Sequence, residues 1–474
     1  MIDPQQKCRQ LLNDARAMVS SLPTAGQSEV CAGFHHEIKI VYENNAVSLV
    51  SSGATDQFGL RYIENGKPGF YTLNTADPQA RKIAVEEVRV LSKLAPSNAH
   101  ECIAAEEDFT ERRTQNGQAR KLDDAYFYER VDSELLNCSP EIALHLMDTW
   151  IGMCRTDARI RMDRAAVTIA LNCHALVNSW GVQVAAAGTS ANWYAMGMAR
   201  DGEMVTSFDT DGGISTRLTD VEAQMQTSAE RFSSGLLTSL HPTGGRSYRG
   251  PVLLHPRSAF HLLVAVTAAN CNGRRHQDGM STWREQEGEL VAHPTLTIRS
   301  NPLDETRPSG WRPFDREGVP TLRTDLIQAG RLKGVAHNCF TAHRAGCRST
   351  GHASGGPRSL PDVGFSAIDL ICESTSGVDL LSDRELEARL ESGLVMKRFS
   401  GNLDPVSGQF SGVAKNSWLV QSGERGPAVH EVMVAGDLFT ILREIRAAGV
   451  TAHTLASGSR APYVLVDGLS VTAA

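Results

Sequence analysis

Apolar residues Cys8, Leu11, Leu12, Ala15, Met18, Val19 and Leu22 recur on one helical face, so the chain is predicted to open with an amphipathic helix. The pattern then becomes strand-like. Segments 36–42 and 46–51 flank Glu43-Asn44-Asn45, and segments 59–63 and 69–73 flank Glu64-Asn65-Gly66-Lys67, where Asn-Gly suits a tight hairpin turn. Asp77-Pro78 and Ser139-Pro140 each place an N-cap before a proline at the first helical position. They predict helices running to about Ala95 and Cys154. Strand-like pieces fill 165–206, interrupted at Asn178-Ser179-Trp180-Gly181. Thr219 and Glu222 have capping-box spacing and predict a helix to about Leu240.

The pattern changes at His241-Pro242-Thr243-Gly244-Gly245, the best linker signal in the chain. We therefore divide the sequence into an N-terminal domain, 1–240, a linker, 241–250, and a C-terminal domain, 251–474. Glycine, proline and short apolar runs beyond the linker predict a β-rich unit with few helices. One of those helices is expected at 382–392, with Ser382 as cap, Glu385 completing a capping box and Gly393 ending it. The expected fold class is α+β: an antiparallel sheet with helices on one face, followed by the β-rich domain.

A length of 474 residues exceeds one ordinary core and agrees with two or three domains. Composition is that of a globular protein, 41% hydrophobic and 21% charged. A net charge of −7 argues against a nucleic-acid partner. No apolar run approaches the roughly 18 residues of a membrane span, and the start Met1-Ile2-Asp3-Pro4-Gln5 lacks the marks of a signal peptide. A cytoplasmic location is expected, with the ten cysteines reduced, since none forms C-x-x-C.

Phosphate-binding and nucleophile-elbow motifs are absent, as is an H-E-x-x-H helix. His36-Glu37 and His430-Glu431 have no second histidine at ligand spacing. His337, Cys339, His343 and Cys347 form H-x-C-x3-H-x3-C; three of them share a helical face and would suit zinc, unless the spacing is chance. Trp180 and Trp418 read as packing residues rather than ligand platforms.

The block Phe399-Ser400-Gly401-Asn402-Leu403-Asp404-Pro405-Val406-Ser407-Gly408-Gln409-Phe410-Ser411 resembles the G-N-x-x-P-x-[ST]-G-x-F-S block of the TldD/PmbA family. Pro313-Phe314-Asp315-Arg316-Glu317-Gly318-Val319-Pro320-Thr321, Gly330-Arg331-Leu332-Lys333-Gly334, Ser349-Thr350-Gly351, Gly423-Glu424 and Ala435-Gly436-Asp437-Leu438 match further blocks in family order. The resemblance is strong after about residue 250 and weaker before it, at Gly59-Leu60-Arg61 and Asn178-Ser179-Trp180-Gly181. It implies a metallopeptidase family with two subunit types, of which the TldD type holds zinc through an H-E-x-x-x-H helix and a later cysteine. Here the corresponding segment is 250–261. Pro256 replaces the glutamate, and no cysteine follows Cys372. On a helix, His255 and His261 would lie roughly 240° apart.

The resemblance therefore implies a TldE/PmbA-type member. It would have no cofactor of its own and would pair, as a dimeric assembly, with a TldD-type catalytic subunit that carries zinc and acts on unstructured peptides or peptide precursors. Ser400, Gly401, Asn402, Asp404, Gly408, Phe410 and Ser411 would either line the peptide cleft or form only a tight turn system. Two alternatives stay open: a stand-alone hydrolase with a metal site rebuilt at His337, Cys339, His343 and Cys347, and a scaffold protein in a peptide natural-product pathway.

Overall fold

The computed structural model describes residues 2–105, 108, 126–375, 377–430 and 432–473. Helix α1 (Pro4–Ser20) starts where the Asp3 carboxylate accepts the Gln5 and Gln6 N–H groups. Strands β1 (Gln27–Glu43) and β2 (Ala46–Glu64) turn at Asn44-Asn45, and β2 turns into β3 (Lys67–Leu73) at Asn65-Gly66. All four turn residues have positive φ, which asparagine and glycine tolerate. Helix α2 (Pro78–Leu94) is capped by Asp77. A short strand β4 (Tyr126–Arg130) and the one-turn helix α3 (Ser133–Leu136) precede α4 (Pro140–Cys154), which Ser139 caps. Strands β5 (Ile160–Asn178), β6 (Gln183–Asp201), β7 (Met204–Val205) and β8 (Asp209–Ser215) lead to α5 (Val221–Thr238).

The strand order is β3-β2-β1-β5-β6-β4, with β7 and β8 also on β6; only β4 runs parallel to its neighbour. Side-chain parity settles where the helices lie. Val30, Ala32, Phe34, Ile38 and Ile40 of β1, and Phe58, Leu60 and Tyr62 of β2, all point to one face and pack under α1, α2, α4 and α5. The four helices thus share one side of the sheet. The other side carries Glu29, Cys31, Arg61, Leu176, Val184 and Ala186, and it packs against C-terminal residues Phe314, Val319 and Cys339.

The chain enters a ten-stranded mixed sheet at β9 (Tyr248–Leu254). Along it lie Arg398–Leu403, Gln409–Lys415, Val432–Asp437, Val464–Thr472, β9, Gly393–Met396, Trp418–Gln421 and Glu424–Ala428. A six-stranded sheet is built around Leu296–Ser300 and Ile368–Cys372. Pro256–Ala259, a π turn at Phe260–Val264 and Ala265–Asn270 follow one another as a helical segment whose apolar face fills the core between the sheets. Among the described residues no helix is long and apolar enough to cross a membrane.

Three local expectations need correction. Thr219 forms no capping box: a 3-10 turn, Leu218–Asp220, precedes α5, and the Thr219 hydroxyl bonds to Asp220 instead. The helix Asp383–Leu390 does have the Ser382/Glu385 capping box, but Glu391, at φ 57°, ends it. Gly393 belongs to the next strand, where a Cβ would meet Leu390 and the Pro251 carbonyl. Trp180 is exposed at the β5–β6 turn rather than packed.

Candidate functional site

A cavity of about 1230 Å³ lies between the N-terminal sheet and the C-terminal sheet. Ala166, Thr168, Asn192 and Tyr194, two directly paired rungs of β5 and β6, form one wall together with Gly212, Gly213 and the Arg231–Ser239 end of α5. The opposite wall is His255, Arg257, Lys397, Trp418, Arg425, His453 and Tyr463.

Its charged groups are interlocked. Asp209 is buried and accepts from Lys397 Nζ at 2.8 Å and from Arg257 at 3.5 Å. Burial opposes ionisation of Asp209, but the Lys397 and Arg257 charges outweigh it and hold the carboxyl below its usual range. Gly235 gives Lys397 room, since a Cβ there would sit 2.5 Å from Nζ. Arg257 also donates to the Thr210 carbonyl, and Arg231 pairs with Asp211 at 2.8 Å. The Arg425 guanidinium stacks 3.7 Å over the Trp418 ring, whose Nε1 donates to Glu387.

His255 does not belong to a helix, so its angular relation to His261 cannot be computed as if both did. It is the extended N-cap residue before Pro256, and its Nδ1 accepts the Arg257 N–H at 3.2 Å. With Nδ1 an acceptor, the ring is neutral and protonated on Nε2. Burial, then Lys397 and Arg257, hold its pKa well below the ordinary histidine value. The ring lies edge-on to Tyr463, which His453 also meets. His261 instead faces Phe399, and burial lowers its pKa too.

The four-residue zinc candidate is dispersed. Cys339 is buried and its N–H donates to Glu317, and burial raises its thiol pKa. His337 bonds the Thr341 hydroxyl, and burial lowers it to about 4. His343 packs on His100, and Cys347 is exposed. Among the described residues, no three His, Cys, Asp or Glu side chains gather as a metal-binding group. Glu431 lies outside the described residues.

None of the residues from Ser400 to Ser411 lines the cavity. They form the hairpin between Arg398–Leu403, an edge strand, and Gln409–Lys415. Ser400, Gly401, Asn402 and Ser411 are exposed, while Phe410 is buried edge-on to Phe399. Asp404 shapes the turn, its carboxylate accepting the Val406 N–H and the Ser407 hydroxyl. Gly408 has φ 80°, and a Cβ there would meet Phe439. Gly401 and Gly412 face each other too closely for a side chain on either.

Sequence reasoning missed Arg257, Lys397, Arg425 and Tyr463 as cavity residues, and Asp209 as the buried carboxylate behind them. Only Lys397 carried a signal, a charge directly after the apolar run Leu394-Val395-Met396.

A family model described as the PmbA/TldA metallopeptidase C-terminal domain matches residues 247–473, and one for PmbA/TldA metallopeptidase domain 1 matches 29–92. An uncharacterized protein of Methanocaldococcus jannaschii is 25% identical over 88% of this chain and 90% of its own length. The metalloprotease PmbA of Escherichia coli is 27% identical, over 45% of this chain and 44% of its own. The crystal structure of TldE from Thermococcus kodakarensis superposes with a TM-score of 0.80 at 18% identity, over 98% of this chain and 100% of that one. A Thermotoga maritima protein described as a putative modulator of a DNA gyrase gives 0.79 at 19% identity, with coverage of 98% and 100%.

Proposed function

Because the chain belongs to the PmbA/TldD metallopeptidase family, we propose that it is a TldE/PmbA-type subunit: it binds peptide but leaves hydrolysis to a TldD-type partner that holds the zinc. The observation that carries this reading is the seat of His255. At the start of the helical segment where the TldD type would supply its metal ligands, the His255 imidazole caps that helix through Nδ1. It is hemmed in by Arg257 and Lys397. A divalent cation there would meet two positive charges and at most two imidazoles, His255 and His453, without the three or four donors zinc takes. The cavity is nonetheless large enough for several residues of an extended peptide.

In this reading the assembly is dimeric, works in the cytoplasm and acts on unstructured peptides. Neither nucleic acid nor membrane takes part. Substrate enters extended and adds its backbone to a free sheet edge such as Arg398–Leu403.

The test is co-expression with a family member that carries H-E-x-x-x-H. The chain alone should release no product from a disordered peptide and hold no stoichiometric zinc. The co-purified complex should do both. Metal-dependent hydrolysis by the isolated chain would overturn the proposal.

A further inference from the structure

The charge of the cavity runs against the charge of the chain. The sequence carries −7, yet the charged side chains lining the cavity are Arg231, Arg257, Lys397 and Arg425 against Asp211 alone. Counting Asp209 behind the wall as well, four cations face two carboxylates. The pairings are uneven. Arg231 is taken by Asp211, and Lys397 and Arg257 share Asp209. Arg425 has no ion-pair partner among the described residues; it rests flat on Trp418 at the exposed rim.

An arginine held flat on an aromatic ring keeps its N–H fork in plane and free, so little side-chain entropy is lost when a carboxylate docks bidentately. Tyr463 stands near this group, and burial keeps its hydroxyl protonated as a donor. Gly212, Gly213 and Gly426 open the walls to backbone.

We propose that this cavity is a carboxylate-binding site. Arg425, on its Trp418 platform, receives either the α-carboxylate of a peptide or an acidic side chain within one. The proposal rests on the peptide-binding reading above and adds which peptides are held.

Full-length protein would be titrated, by fluorescence anisotropy, with one labelled peptide in three forms. These are the free acid without acidic side chains, its C-terminal amide, and the amide with one glutamate inserted. One or both carboxylate forms should bind about tenfold or more tightly than the plain amide, and which of them does so identifies the source of the carboxylate. Arg425→Gln should abolish that preference, and Arg425→Lys should restore part of it. Both variants should melt as the parent does, since the side chain is exposed. Equal binding of all three forms would overturn the carboxylate site and leave peptide binding standing. Binding of none would overturn both. A preference unchanged in Arg425→Gln would overturn the assignment to Arg425.

Discussion

Lys397 and Asp209 meet inside the molecule, one from the C-terminal sheet and one from the N-terminal sheet. Removing one member of such a buried pair strands the other, so Asp209→Asn should destabilise the fold by about 3–5 kcal/mol in chemical denaturation. Double replacement of Asp209 and Lys397 by apolar residues should be milder. His255 sets an acid limit on stability. Its pKa is depressed in the folded state, so its contribution is full above the ordinary histidine value, about 6.5. That contribution falls as pH drops below 6.5, because the unfolded chain then takes up the proton first. Asp209, also depressed, adds its own loss only as pH falls below about 4. His255→Asn keeps a capping oxygen, and its melting temperature should fall less from pH 7 to about 5 than that of the parent, the remaining fall coming from other histidines that burial also depresses, His174, His261, His293 and His337. Parallel curves would refute this account of His255.

The hairpin from Arg398 to Lys415 separates two roles within one element. Phe410 packs on Phe399 in the main C-terminal core, so Phe410→Ala should cost about 3–5 kcal/mol. Asn402 is exposed on the edge strand, and Asn402→Ala should change stability by no more than about 0.5 kcal/mol. If the edge receives substrate, the same change should slow peptide hydrolysis by the co-purified complex. Unchanged turnover with Asn402→Ala would remove this hairpin from the peptide path. The turn itself explains much of its sequence block without any ligand. Asp404, Ser407 and Gly408 hold its shape, while the Pro405 and Val406 carbonyls accept from Asn270 and Thr282.

Across the whole molecule the domains are joined by buried charge. Arg61 on β2 meets Glu317 at 3.2 Å and Glu101 at 3.1 Å, and Arg316 meets Glu29 at 3.0 Å. The loop that supplies Arg316 and Glu317 is shaped by Asp315, which accepts the Glu317, Val319 and Ala353 N–H groups. Arg61→Ala leaves Glu317 buried with its nearest cation gone, so the loss should again be about 3–5 kcal/mol. Limited proteolysis should then cut sooner than in the parent in the segment 239–247, between α5 and β9. For the assembly, a permanent pair of subunits should bury more than about 2,000 Å² in total. A monomer in light scattering after co-expression with a TldD-type protein would count against it.

What the sequence determined by itself is local or periodic. Asp77, Ser139 and Ser382 mark helix starts because a cap's oxygen reaches N–H groups only two or three residues ahead. Asn44-Asn45 and Asn65-Gly66 mark turns because few residues accept positive φ. The order of the family's blocks pointed to the family itself. Only the tertiary structure decided the site. Asp209, His255, Lys397, Trp418 and Tyr463 come from separate segments, and their meeting depends on the second face of the β5–β6 ladder closing against the C-terminal sheet. The Asp315-Arg316-Glu317 motif is only part of a family block in the sequence, and in three dimensions its Arg316 and Glu317 pair with Glu29 and Arg61 of the N-terminal sheet. Which carboxylate meets which guanidinium is fixed by long-range packing, and no spacing along the chain encodes it.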